Sequence, residues 1–162
     1  MRKNPPKRTW TIQTDGSTTK KAGGAGVVLI SPKGEILKYA IRLQFLAKNN
    51  EAEYEALLTS LNLEKVLEAK AFIIQVDSQL VIGQVRGDYE AKEERMQKYL
   101  KIVQQLLPNF DSVDFQQILL AKNMEANFLA QLASSDDHNI SPELRIERRE
   151  QPSTEGKQVL MV

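Results

Sequence analysis

The chain has 162 residues, 41% hydrophobic and 27% charged, enough for one domain with a real core and too few for two. Its 22 basic and 21 acidic residues leave a net charge of +1, which excludes a global attraction to nucleic acid or anionic membrane; any phosphate-binding surface has to be a local patch. The absence of cysteine rules out disulfides, thiolate catalysis and cysteine zinc sites together. No apolar run approaches the roughly 20 residues that span a bilayer, so we expect a soluble intracellular domain, cytoplasmic or nuclear, and monomeric when isolated.

Residues 1–8, Met1-Arg-Lys-Asn-Pro-Pro-Lys-Arg8, form a basic, proline-containing lead-in that reads as a linker. Trp10, Ile12 and Thr14 alternate with polar neighbours as in a half-buried strand, and this spacing ends the strand at Asp15, against Gly16 and Ser17. An acid at a strand end is a candidate metal ligand, although Asp-Gly is also an ordinary turn signal. After a polar turn over 16–22, residues 24–31 read as a strand buried on both faces. Ser31-Pro-Lys-Gly34 reads as a hairpin turn, and Glu35 to Phe45 as a third strand marked by Ile36, Ala40 and Leu43. Three consecutive strands of this kind predict an antiparallel meander.

The texture then becomes helical from Asn49 to Ala69, with Asn49 or Asn50 as the cap and Leu57, Leu58 and Leu61 as the apolar stripe. Glu51 suits the positive end of the helix dipole. Glu53, one turn before Leu57, lies beside the inward stripe instead of on the far face. Residues 71–76 form a short apolar strand, and strand, helix, strand predicts a crossover that makes it parallel to one of the first three. Asp77 would then end a central strand, where open sheets place their ligands; it would serve equally as a cap for the short helix starting at Ser78. A second long helix runs from Lys92 to Leu107 before Pro108, a fifth strand covers 112–119, and a last helix runs from about Asn123 to Ser134. From Ser135 onward the chain is polar, with Pro142, Pro152 and Gly156, and is expected to be a flexible tail outside a compact domain of residues 9–134.

In order and spacing, the segments Asp15-Gly-Ser, Asn49-Asn50-Glu-Ala-Glu53-Tyr-Glu-Ala-Leu, Asp77-Ser-Gln-Leu-Val and Asn123-Met-Glu-Ala-Asn127-Phe-Leu-Ala resemble the ribonuclease H fold. More narrowly, they are similar to the ribonuclease H domain of plant gypsy-type LTR retrotransposon polyproteins, over about residues 9–134. The resemblance implies an α/β domain with a central five-stranded mixed sheet, three antiparallel strands followed by parallel ones, flanked by helices. Arg145 to Ser153 resembles the connector toward the integrase in such polyproteins, which makes neighbouring reverse transcriptase and integrase domains the expected partners, with no membrane.

The same resemblance implies a metal-dependent endonuclease that hydrolyses the RNA strand of an RNA/DNA hybrid. Two Mg²⁺ ions, with Mn²⁺ as an alternative, would activate water and stabilise the leaving oxygen. Asp15 would bridge both ions, Glu53 and Asp77 would each hold one side, and Asn127 would occupy a fourth position. Asn49, Asn50, Ser78 and Gln79, with Gly16 and Ser17, match positions that touch the hybrid. Amides and hydroxyls there read the 2′-hydroxyl without reading sequence, and helix capping is their alternative role. Two departures stand out: Asn127 replaces an acid, and Leu120 replaces a common arginine. The one histidine, His138, falls beyond the last helix. The alternative reading is a catalytically inactive nucleic-acid-binding module that kept the fold.

Overall fold

A computed structural model of the protein describes residues 8–135 and 146–155. Most of the basic lead-in, His138 and the remainder of the expected tail lie outside the described residues. The meander is present as β1 (Thr9–Thr18), β2 (Gly23–Ile30) and β3 (Ile36–Leu43). The helix α1 (Asn49–Val66) then crosses over to β4 (Ala71–Val76), which pairs parallel to β1 as expected. Two helices follow, α2 (Gln79–Arg86) and α3 (Glu94–Leu106), before β5 (Ser112–Gln117) pairs parallel to β4 and α4 (Met124–Ser134) returns across the sheet.

The two faces of the sheet are covered by different helices. Ile12, Val27, Leu29 and Ile74 pack against Leu57, Leu58 and Leu61 of α1, while Val28 and Ala40 pack against Ala126, Leu129 and Ala133 of α4. β2 runs between both layers, which is why its glycine-punctuated sequence is apolar on each face. Gly26 sets the spacing on the α4 side, because a Cβ there would lie 2.2 Å from the carbonyl oxygen of Ala126. Each fully buried leucine or isoleucine in these layers contributes about 1.5–3 kcal/mol. Among the described residues, no helix is long and apolar enough to cross a membrane.

Three expectations need correction. β1 does not end at Asp15 but continues to Thr18, because Gly16, Ser17 and Thr18 find backbone partners in Ala25, Gly24 and Gly23. Neither Asn49 nor Asn50 caps α1; the carboxylate of Glu51 reaches back and accepts the Lys48 backbone N–H at 2.8 Å. The sheet has six strands instead of five, in the order β5-β4-β1-β2-β3-β6.

The sixth strand, β6 (Ile146–Arg149), comes from the segment expected to hang free, and it pairs parallel to β3. Its anchor is Glu55, a wholly buried carboxylate on α1. Glu55 accepts Arg149 Nη1 at 2.9 Å, Tyr99 Oη at 2.6 Å, and the backbone N–H and hydroxyl of Ser153 at 2.8 and 2.6 Å. A buried charge is tolerable when its lone pairs are filled in this way. Residues 146–155 are therefore placed against the domain, and Tyr99, which stacks on Tyr54 with ring centroids 5.5 Å apart, ties the anchor to the core.

Candidate metal centre

The centre forms where β4 stops short of β1. The parallel pairing ends at Thr14 opposite Val76, so Asp77 is the first residue past β4 while Asp15 continues in β1. Beyond that point the edge of β1 is left open, and the first turn of α1 takes it. Glu53 Oε1 accepts the Gly16 backbone N–H at 2.9 Å. One carboxylate oxygen from each of Asp15, Glu53 and Asp77 then lies within 4.8 Å of the others. From the opposite face, α4 brings Asn127, whose Nδ2 donates to Asp15 Oδ2 at 2.7 Å. The four side chains line an open cleft of about 370 Å³ together with Gly16, Asn49 and residues Gln117 to Leu120.

Electrostatics in this cleft are strained without a counter-charge. Burial raises Asp15 to about 6, the hydrogen bond from Asn127 pulls it down, and the nearby Asp77 charge pushes it up again. Glu53 is pushed up to about 9, first by burial and then by the charges of Asp15 and Asp77. Converging carboxylates of this kind are hard oxygen donors, and a divalent cation offsets both their desolvation and their mutual repulsion. The donor set, three carboxylates with an amide beside them, fits a hard divalent cation in chemistry. Asn127 offers its NH₂ group to Asp15 in this arrangement, so its carbonyl oxygen becomes a ligand only after the amide turns over.

The other expected site residues lie around the same end of the sheet. Ser17 is half-buried in β1 opposite Gly24, and Asn50 is half-buried in the first turn of α1. Asn49 is exposed, and its Oδ1 accepts the Thr18 hydroxyl at 3.1 Å. Ser78, and not Asp77, caps α2: its Oγ accepts the Val81 N–H at 3.2 Å. Gln79 is exposed and donates Nε2 to Tyr89 Oη at 2.9 Å. Leu120, in the position noted for a missing arginine, lines the cleft and is 52% exposed.

Sequence reasoning passed over Asn123, whose amide bonds both to Thr14 O and to Asp77 Oδ2. Its signal was the spacing of four residues from Asn127, which puts both amides on one side of the start of α4.

A profile of the family described as reverse transcriptase-like matches residues 13–133, a span that holds all three acids and both asparagines. The chain belongs to this family. Ribonuclease HI of Halobacterium salinarum is 30% identical over 124 residues, covering 75% of this chain and 62% of that protein. The crystal structure of RNase H1 from the same archaeon matches with a TM-score of 0.75 at 26% identity, over 80% of this chain and 99% of that one. A bifunctional protein of Mycobacterium tuberculosis is 29% identical over 122 residues, and the chain spans only 34% of its length. The match there is to its N-terminal RNase H domain, with a TM-score of 0.69 at 28% identity over 78% of this chain and 94% of that one. LC11-RNase H1, crystallised in complex with RNA/DNA hybrid, matches with a TM-score of 0.67 at 26% identity over 76% of this chain and 94% of its own. The reverse transcriptase-like chain thus has the ribonuclease H fold and is a homologue of ribonuclease H1.

Proposed function

We propose that this domain is a divalent-metal-dependent endonuclease that hydrolyses the RNA strand of RNA/DNA hybrids. The observation that carries the reading is the meeting of Asp15, Glu53 and Asp77 within 4.8 Å at the floor of an open cleft. A cation held by these residues would supply Lewis-acid activation of water and of the scissile phosphate. The protein's own part is positional. The Gly16 N–H fixes one oxygen of Glu53, the Asn127 amide fixes one of Asp15, and the pairing of β1 with β4 up to Thr14 and Val76 sets Asp15, within β1, beside Asp77, just past β4. Asn49 lines the cleft, Asn50 adjoins it in α1, and Ser78 and Gln79 follow Asp77; together they would meet the minor groove of a hybrid, where their amides and hydroxyls would distinguish a ribose from a deoxyribose.

The finer setting belongs to the same proposal: a domain of an LTR-retrotransposon polyprotein, with reverse transcriptase and integrase domains as neighbours. The reverse transcriptase-like family match and the connector-like segment from Arg145 to Ser153 support it. A second reading, a binding module without catalysis, is favoured by one observation, the amide at Asn127 presenting its NH₂ group inward.

Incubation with a labelled RNA/DNA hybrid and Mg²⁺ or Mn²⁺, beside an Asp77→Asn control, tests the reading. Cleavage of the RNA strand by the native chain and not by the control is expected. Hybrid binding with no cleavage under either metal moves the domain to the second reading.

A further inference from the structure

Asn123 immediately precedes α4 and has no exposed surface at all, although its side chain is a primary amide. Its Nδ2 donates to the backbone carbonyl of Thr14 at 2.9 Å and to Asp77 Oδ2 at 3.2 Å. Its Oδ1 is buried with no hydrogen-bond partner. The orientation of the amide follows from its surroundings: turning it over would press Oδ1 against two acceptors and strand two donors instead of one acceptor. A buried amide that leaves its own oxygen unpaired is unfavourable, and what offsets that cost here is the pair of bonds its Nδ2 makes.

Those bonds join specific points. Thr14 pairs with Val76 across β1 and β4, and each is followed directly by an aspartate, Asp15 on one strand and Asp77 on the other. Asn123 therefore bridges the strands at the step where they deliver their acids. One helical turn later, the Asn127 backbone N–H bonds to the Asn123 carbonyl at 3.0 Å, and the Asn127 side chain bonds to Asp15. The start of α4 thus supplies one amide to each aspartate.

Resting on the metal-centre reading above, we propose that Asn123 is a positioning residue. It fixes the plane of the Asp77 carboxylate relative to Asp15, and with it the affinity of the centre for a divalent cation. A role confined to tying α4 to β1 would need only the bond to Thr14, and would affect stability without affecting metal affinity in the folded protein. Hydrogen-bonding partners of ligating residues typically change metal affinity by about 10–100-fold when removed.

The test measures Mn²⁺ binding by electron paramagnetic resonance, with the melting temperature in EDTA recorded in parallel, for the native chain and for Asn123→Ala. We expect the variant to fold with a lower melting temperature and to bind Mn²⁺ about tenfold more weakly. Equal Mn²⁺ affinity in a folded variant overturns the positioning role while leaving the metal centre in place. A native chain that takes up no Mn²⁺ overturns both. If Asn123→Ala does not fold, the native protein decides: in a ¹⁵N-labelled sample titrated with Mg²⁺, the Asn123 side-chain NH₂ resonances should shift with the same midpoint as the backbone amides of the acids. Resonances that stay fixed while the acids titrate overturn the inference.

Discussion

Gly16 and Glu53 touch through both backbone and side chain: the Gly16 N–H donates to the Glu53 carboxylate, and a Cβ on Gly16 would lie 2.4 Å from the Glu53 backbone nitrogen. The closeness of β1 to α1 at the metal centre therefore depends on a missing methyl group. Gly16→Ala would drive α1 outward, since the obstructing atoms are backbone and cannot rotate away. Overpacking of this sort costs about 1–3 kcal/mol, occasionally more. Urea denaturation should show a loss of at least that size, and Mn²⁺ affinity should fall with it because Glu53 moves.

Asn127→Asp has opposite effects with and without metal. In EDTA the variant loses the donor to Asp15 and adds a fourth carboxylate to a crowded cleft, so its melting temperature should fall below that of the native chain. With Mg²⁺ the added charge should tighten one site and raise the rate of hybrid cleavage. The gain should be largest at low Mg²⁺ and shrink toward saturation, because added metal compensates for a weak ligand shell by mass action. An unchanged rate at every metal concentration in a folded variant would place the defect elsewhere.

The buried acids set the pH dependence. Glu53 is raised from 4.5 to about 9, and Glu64, a wholly buried residue whose carboxylate oxygens have no partner among the described residues, is raised by burial from 4.5 to about 7. Above 4.5 the unfolded chain releases protons that the folded protein keeps, so metal-free stability should fall as pH rises through this window. Thermal melts in EDTA at pH 5 and pH 8 check the direction. Glu64→Gln should make the slope shallower between about pH 4.5 and 7, where Glu53 still contributes, and leave it unchanged above. Mg²⁺ should flatten the upper part, since the cation replaces the Glu53 proton, and its apparent affinity should rise with pH.

Arg149→Ala should be among the more damaging surface changes. It removes the cation paired with Glu55 at 2.9 Å and leaves a carboxylate with no exposed surface. Breaking one side of a buried pair costs about 3–5 kcal/mol. Equilibrium unfolding of Arg149→Ala beside the double variant Arg149→Ala, Glu55→Gln tests the cause: the second change should recover part of the loss.

Most of the framework was legible because it rests on periodicity. Alternation placed β1, leucine spacing placed α1, and the order of strand and helix made β4 parallel to one of the first three strands, which the structure shows to be β1. What escaped the sequence depends on partners far along the chain. Gly16, Ser17 and Thr18 carry no strand signal of their own; the glycines of β2 supply their pairing. Ile146-Glu-Arg-Arg149 is a polar edge strand without alternation, and its anchor Glu55 looks on a helical wheel like one more surface acid. Asp77 was readable as following a strand end and Glu53 as lying on an inward helix face, whereas Asp15, expected at a strand end, sits inside β1; Asn123 was hidden in a motif noted only for Asn127.

At Gly24 and Gly26 the main chain of β2 meets the main chain of α4 directly, so the Asn127 to Asp15 spacing is set there by backbone contact that no side chain can relax. A methyl group at Gly26 would act as a shim, lifting the helix and opening that gap directly. Met124 and Phe128, 59% and 55% exposed on the outer side of the same helix, can change size without altering the gauge. Tolerance to substitution along α4 should therefore follow which side of the helix a residue faces, and not how near it lies in sequence to the metal centre.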